Sequence, residues 1–583
     1  MMHGASSHKL NYVFLFTLIA IGLICTNHAH AATETLDSEA LRNRAKQEAL
    51  EREQLLNQPS VKLQGPIEKP GTLSLPIETP CFKIQNFVLE VPNEVSPEAQ
   101  RAGASTLPLD RFRFAQDYLE QFAGQCIGRE GINLIVKRLT AEILERGYST
   151  TRLGIIEQDM SRGTLRLTLV PGFINSIRFA NKDTSGSLAN AFPTSAGKLL
   201  NLRDIEQGLE QLKRVTSQDV DMQIIPADKL GESDIVITIK RSKAWRVTTT
   251  LDDSGAKGTG KLQAGINFAV DNLFNINDIF NIGINNDAEN KLEQNGTQGS
   301  NVFYSLPFGN WTHTISANDS KYRQRVAGTN QTFYTSGKSS GAELKTSYLF
   351  HRDQRSKSSL QFRIGKRWAH SYIEDTEIQV QKRDTTFVEA ALQHKHNIAQ
   401  AQLDISLAER QGSPLFGAQE ELSGQTAGSP TFFYSLQILD ATLSIPFEVA
   451  KQALKFTSTV HAQNSDSVLY GSEWISIGNR WTVRGFDGEQ TLAAEKGWYW
   501  RNELESPVRG TNQTIYIAFD AGRVYGANQV NLPGNALSGA AIGMRGYAVK
   551  GAYYDVFAGG VFYKPQGFTT SDVATGFSLS YQF

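Results

Sequence analysis

The chain has 583 residues, with 58 Lys and Arg against 59 Asp and Glu, for a formal net charge of −1. Such a length exceeds one ordinary core and implies several domains. The balanced charge argues against a nucleic-acid binder, and a composition rich in Gly, Tyr and Phe leaves a soluble all-β enzyme and a transmembrane β-barrel both open.

Residues 1–31 read as a secretory signal peptide. Lys9 gives a weakly basic start, 13–24 is almost uninterrupted apolar, and Ala29-His30-Ala31 is a small-x-small cleavage site. The run is too short for a spanning helix, and no later window reaches that length. Cys25 raises lipidation, but the bulky Ile24 before it favours ordinary cleavage before Ala32. The chain is therefore expected to be exported. Cys81 and Cys126 then remain, and in an oxidising compartment the economical reading is one disulfide. Two buried free thiols are the alternative.

Residues 38–57 are expected to form a helix. Asp37 or Ser38 can cap it, and Arg44 with Glu48, and Glu48 with Arg52, sit one turn apart. Leu41, Ala45, Ala49, Leu55 and Leu56 give it only a narrow apolar face. So polar a helix suits solvent or a water-lined channel equally. Pro59, Pro66, Pro70 and Pro76 mark 58–79 as a linker.

Residues 80–171 read as a compact domain ordered strand, helix, helix, strand, strand. Strand 82–90 opens it, and helices follow around 109–122 and 132–145. Ile132, Ile135, Val136, Leu139 and Ile143 make the buried face of the second helix, which Gly147 stops as a left-handed cap. A short strand is expected within 153–158. Leu165, Leu167 and Leu169 then alternate with Arg166 and Thr168. Residues 172–242 repeat the theme. Strand 174–179 precedes a helix capped by Asn201 with Ile205, Leu209 and Leu212 inward, and strands 219–225 and 234–240 close the domain. Each domain is a small helix-covered sheet whose open edge can accept an extended segment. A pure spacer is the bland alternative.

From Trp245 to Phe583 strand-length segments recur with no long helix. Examples are 245–250, 278–285, 401–407, 454–462, 498–505 and 514–522. Leu403, Ile405 and Leu407 alternate with Gln402, Asp404 and Ser406, and Trp498, Trp500 and Leu504 oppose Arg501, Glu503 and Glu505. Apolar-out and charged-in is wrong for a soluble core and right for a lipid-facing wall around a wet lumen. Such a sheet must close on itself, because open edges leave backbone groups unpaired in hydrocarbon. About sixteen strands fit, with a long polar insertion at 411–430. No nucleophile elbow, Walker loop or metal-ligand helix appears. Ser149 and the scattered histidines read as structural or solvent-facing. The chain is expected to be no enzyme and to use no cofactor or metal.

In this order of elements the chain resembles an outer-membrane transporter of two-partner secretion, the TpsB type, within the superfamily of barrel insertases. The resemblance spans essentially the whole exported chain. Gly147-Tyr148-Ser149-Thr150-Thr151-Arg152 is similar to the signature ending the first small domain's second helix. Val483-Arg484-Gly485-Phe486 matches the hallmark of the sixth extracellular loop, and Phe519-Asp520-Ala521-Gly522 matches the strand motif that receives it. The resemblance implies two periplasmic POTRA domains that capture an unfolded exoprotein. It implies a pore plug formed by the leading helix, and a loop at about 464–497 that folds into the lumen. By the same analogy 471–478, strand-like in sequence, belongs to that loop. The final strand, with Phe577, Leu579, Tyr581 and Phe583, would carry the signal read by the barrel assembly machinery.

Alternation supports the paired motifs. With Ile515, Ile517 and Phe519 facing lipid, Tyr516, Ala518 and Asp520 face inward, within reach of Arg484 on an inserted loop. Gly485 would allow the close turn, and Phe486 would wedge against the inner wall. The function implied is a monomeric outer-membrane pore, set in lipid and lipopolysaccharide, that exports one large TpsA-type exoprotein without ATP. Adhesins, cytolysins and contact-dependent toxins are the cargoes such transporters carry. An outer-membrane protein insertase is the alternative, though it usually has more small domains and no plug helix. A passive porin or ligand-gated receptor would leave the two small domains unexplained.

Overall fold

The computed structural model describes residues 60–583 except 66, 68–73, 182, 183, 185, 290–293, 328–330 and 427. The expected signal peptide and the expected helix at 38–57, with Leu41, Arg44, Glu48, Arg52 and Leu55, lie outside the described residues.

The first small domain contains β1 (Asn86–Glu90), α1 (Pro97–Gly103), α2 (Arg113–Glu120), α3 (Arg129–Glu145), β2 (Arg152–Ile155) and β3 (Thr164–Val170). β3 is central, parallel to β1 and antiparallel to β2. Its Leu165, Leu167 and Leu169 are fully buried against Ile132, Ile135, Leu139 and Ile143 of α3. Burying each such side chain stabilises the fold by about 1.5–3 kcal/mol. Two features depart from the sequence reading. α1 is an additional helix of 7 residues, too short to show a period, started by the Ser96 hydroxyl accepting from the Ala99 amide. The strand expected over 82–90 is split, because Phe82–Lys83 leaves the sheet to pair with Cys126–Ile127. The Cys81–Cys126 disulfide closes that corner, so the free-thiol alternative falls.

The second domain contains β4 (Phe173–Phe179), α4 (Leu188–Ala191), α5 (Leu202–Lys213), β5 (Gln218–Pro226) and β6 (Glu232–Arg241), with β6 between β4 and β5. Asn201 caps α5 by accepting from the Arg203 amide at 2.8 Å. Ile205, Leu209 and Leu212 pack on Ile174, Ile235 and Ile237. The polar side of α5, from Arg203 to Arg214, is buried as well, because it is pressed onto the rim of the third unit.

That unit is a closed antiparallel barrel of 16 strands. They are β7 (Trp245–Asp252), β8 (Gln263–Asp271), β9 (Ile279–Asp287), β10 (Gly296–Phe308), β11 (Trp311–Ala327), β12 (Thr332–Arg352), β13 (Ser356–Ile373) and β14 (Arg383–Ile398). The wall continues through β15 (Ala401–Ser413), β16 (Ser435–Val449), β17 (Gln452–Asn464), β18 (Lys496–Pro507), β19 (Gln513–Tyr525), β20 (Ala536–Val549), β21 (Ala552–Tyr563) and β22 (Val573–Gln582). Each pairs with its neighbour in sequence, and β22 returns to β7. Thr376–Glu377 only extends β13.

Alternation divides the wall. Ile515, Ile517 and Phe519 are exposed on the outside, while Tyr516, Ala518 and Asp520 are buried inside. Most turns on the side of the small domains are tight. Ala450 and Lys451 both have positive φ there, the geometry of a two-residue hairpin that matches strand twist. Most connections at the other rim are longer, and the one between β17 and β18 folds into the lumen. Within it Ile475–Ile477 pairs with Leu492–Ala494 rather than with the wall.

Candidate functional site

The lumenal loop is held where its Arg484 meets β18 and β19. Arg484 is 5 % exposed and Asp520 is 0 % exposed. The guanidinium forks onto the carboxylate, Nε to Oδ2 at 2.7 Å and Nη2 to Oδ1 at 2.9 Å. The Arg484 amide adds a third bond to Oδ2 at 3.0 Å, and the Asn502 amide donates to Oδ1 at 3.2 Å. Nη1 reaches Glu503, and Nη2 also donates to the Asn502 carbonyl. A planar fork fixes orientation as well as distance. So many donors compensate a charge that burial alone would make costly.

The neighbouring residues shape the approach. Gly485 has φ +98°, and a Cβ there would stand 2.4 Å from the Gly560 carbonyl oxygen. Only glycine fits that contact. Val483 and Phe486 enter a buried cluster with Val524, Leu537 and Phe568, and Phe486 meets Phe568 edge-on at 5.6 Å. Gly522 lies beneath the loop, where a Cβ would crowd Ile477 and Val483 at 3.0 and 3.1 Å.

Other side chains anchor the loop in ways that sequence alone does not indicate. Glu503 is shared between Arg484 and Arg545. Arg501 donates to the Trp481 carbonyl at 2.9 Å. Glu473 at the start of the loop is held by Arg367 and Arg410. The signal available was inward parity, which marks Arg501 and Glu503 as lumenal but does not say what they touch.

Gly147, Tyr148, Thr151 and Arg152 lie at the joint between the two small domains. Gly147 has φ +93° just past α3. Its carbonyl accepts from the Leu202 amide at 2.8 Å, and Asn201 Nδ2 donates to the Arg146 carbonyl. Tyr148 packs on Phe112 at 4.9 Å. Thr151 Oγ1 accepts from the Gly172 amide at 3.0 Å. Arg152 Nη1 donates to the Ser149 carbonyl.

A third cluster joins α5, the rim turn between β12 and β13, and residues 61–64. Arg352 forks onto Glu210 at 2.8 and 2.9 Å, and Lys357 reaches the same carboxylate at 2.8 Å. Glu210 also accepts from the Val61 amide, and Glu206 from the Leu63 amide. Burial opposes the charge of Glu210, but the bonds from Arg352 and the charge of Lys357 outweigh it and hold the carboxyl below its usual range. Phe577, Leu579, Tyr581 and Phe583 are near or on the last strand, with Leu579, Tyr581 and Phe583 exposed on the outside.

A closed barrel that is apolar outside, with an ion-paired loop in its lumen and two helix-covered sheets at one rim, defines an outer-membrane transport channel with periplasmic domains. Residues 231–546 match the family described as haemolysin secretion/activation protein ShlB/FhaC/HecB, residues 102–172 a ShlB-type POTRA domain and residues 173–226 a POTRA domain. The chain belongs to that family, the TpsB-type outer-membrane transporters of two-partner secretion. It translocates a large partner exoprotein and is not an enzyme. It is 44 % identical over 541 residues to the outer membrane transporter CdiB-2 of Burkholderia pseudomallei (strain 1026b), covering 92 % of each chain. It is 27 % identical over 466 residues to the hemolysin transporter protein ShlB of Serratia marcescens, covering 80 % of this chain and 79 % of that one. CdiB from Acinetobacter baumannii superposes with a TM-score of 0.80 at 27 % identity, over 95 % of this chain and 100 % of that one.

Proposed function

We propose that this channel is closed at rest by two devices, the helix at 38–57 acting as a plug and the lumenal loop clasped through Arg484 and Asp520. The exoprotein reaches it unfolded in the periplasm, is captured by the POTRA domains at 80–171 and 172–242, and leaves through the barrel at 243–583. Residues 1–31 are removed on export, and 58–79 tether the plug. The observation that carries this reading is the saturated Arg484–Asp520 pair, since so buried an ion pair holds a loop in one pose. Folding of the exoprotein outside supplies direction without ATP. The cargo is a TpsA-type protein of the contact-dependent toxin, adhesin or cytolysin kind. The barrel assembly machinery inserts the chain through its last strand, and it works as a monomer in the outer-membrane lipid.

Co-expression with the large exoprotein encoded beside it tests the reading by the amount released to the medium. Deleting 32–57 from the full chain should give large, persistent conductance in planar bilayers. Conductance equal to the parent would remove the plug.

A further inference from the structure

Two lysines face each other on the outside of the barrel, and among the described residues neither has an acid bonded to it. Lys321 of β11 and Lys338 of β12 are direct register partners. Both lie on the lipid-facing side, since Lys321 has the parity of the exposed Ile315 and Lys338 that of the exposed Leu344. Like charges directly opposite in a sheet destabilise it. Among the described residues no carboxylate pairs with either. Asp319, one step along the same face, bonds to neither, and Gln298, opposite Lys321 on β10, is neutral. His370, opposite Lys338 on β13, is engaged by Glu377.

More cations continue the patch towards the outer rim. Arg325 is exposed on the same face and has no acid partner among the described residues. Arg323 pairs with Asp375 and lies 4.8 Å from the Tyr334 ring centroid. Lys338 lies 5.9 Å from the ring of Tyr372. Cations and aromatic rings therefore meet here beside the carboxylates of Asp319, Glu374 and Asp375, of which only Asp375 pairs with a cation of the patch, and the unpaired cations suit a phosphorylated headgroup above acyl chains.

Its height agrees. The paired Trp311 and Tyr348 mark the periplasmic end of these strands, beside Gly309, whose carbonyl accepts from Gln207 and Gln211 of α5. Ten residues separate Trp311 from Lys321, and ten separate Tyr348 from Lys338. At about 3.3 Å per residue and a tilt of about 40°, that is about 25 Å along the membrane normal, the height of a barrel's apolar band. Exposed Ile315, Leu344, Leu360 and Phe362 occupy the interval. The lysine pair thus stands at the outer-leaflet headgroups.

We propose that Lys321, Lys338 and Arg325 form a site for the phosphates of an outer-leaflet glycolipid, the lipid A portion of lipopolysaccharide, with its acyl chains along β11 to β13. The proposal rests on the outer-membrane placement of the barrel. Phosphate oxygens between the two ammonium groups would convert their repulsion into two charge-assisted bonds.

The test uses the purified full chain in detergent and native mass spectrometry with bisphosphorylated lipid A as probe. Lys321→Gln with Lys338→Gln should weaken retention about 30-fold, and each single change about fivefold. Lys550→Gln, in a periplasmic turn, should leave retention unchanged. Dephosphorylated lipid A should bind weakly to parent and variants alike, and millimolar inorganic phosphate should not displace the glycolipid. Equal retention by parent and double variant, strong binding of the dephosphorylated form, or displacement by free phosphate would each overturn the proposal. Heat-modifiable gel mobility reports the folded barrel separately and should persist in every variant, so failure of the lipid site is distinguishable from failure of the membrane placement.

Discussion

Arg480 of the lumenal loop bonds Asp253, and with the same guanidinium it donates to the Phe577 carbonyl at 3.3 Å. Asp253 follows the first barrel strand and Phe577 lies on the last, and the Phe577 amide in turn donates to the Asp253 carboxylate at 2.8 Å. One loop side chain therefore spans the seam where the barrel closes. That seam has a register running only from Ser578 opposite Asp252 to Gln582 opposite Thr248, shorter than any other in the wall.

Arg480→Gln should therefore loosen the seam before any other part of the barrel. Hydrogen bonds to charged groups contribute about 1.5–3 kcal/mol each. The heat-induced gel shift should move to lower temperature, and a disulfide engineered between register partners Thr250 and Ser580 should restore it. An unchanged transition would show that the strands hold the seam without the loop.

The clasp makes a sharper demand. Arg484→Asp or Asp520→Arg alone strands a buried charge, at a cost of about 3–5 kcal/mol, and secretion should fail. The two together should recover more secretion than either single change. Recovery should remain partial, because Glu503 also holds Arg484 and would then face a new carboxylate. Adding Glu503→Gln to the pair should raise it further. Equal failure of both single variants and the double would leave the clasp without support.

What could be read ahead of the structure was whatever depends on local period. Asp520 is inward because every second residue of β19 is, and Leu165, Leu167 and Leu169 are buried for the same reason. Contacts set by the closed shape were not legible. Asp253 and Arg480 are 227 positions apart, and Val61 and Glu210 are 149 apart. No spacing rule links such pairs. The start of α3 is a further case. Gly128 at its N-cap has no side chain to offer, so Glu78 accepts from the Glu130 and Gly131 amides in its place. Only the bend at residues 78–86, closed by Cys81 and Cys126, brings that carboxylate near.

Gly147→Val should uncouple the two POTRA domains. The residue has positive φ, and a Cβ would stand 2.2 Å from Asn201 Oδ1, the atom that caps α5. Backbone strain of this kind costs about 1–3 kcal/mol. Secretion should fall sharply while the barrel keeps its heat-modifiable mobility, because the defect lies outside it. Spin labels on the two domains should report a broadened distance distribution. A distribution as narrow as the parent's, with secretion lost, would assign the residue to cargo contact instead.

The junction at Glu210 should respond to acid. Burial alone would raise its carboxyl, but Arg352 and Lys357 outweigh that burial and hold it below the usual glutamate range. A depressed folded value means the contribution is fully present above the free carboxyl's range and is lost as pH falls through the folded value. Docking of α5 on the β12–β13 turn should thus hold at neutral pH and loosen in acid. Spin labels at Asp228 and Lys550 should show one narrow distance at about pH 7 and a broader, longer set once the pH is brought below the folded carboxyl's value. Glu210→Gln should flatten this dependence and weaken docking at neutral pH, since Arg352 keeps only its bonds to Glu206, Gln207 and the Val61 carbonyl. Distances in the parent that are the same at both pH values would show that the charged pair does not set the position of the second POTRA domain.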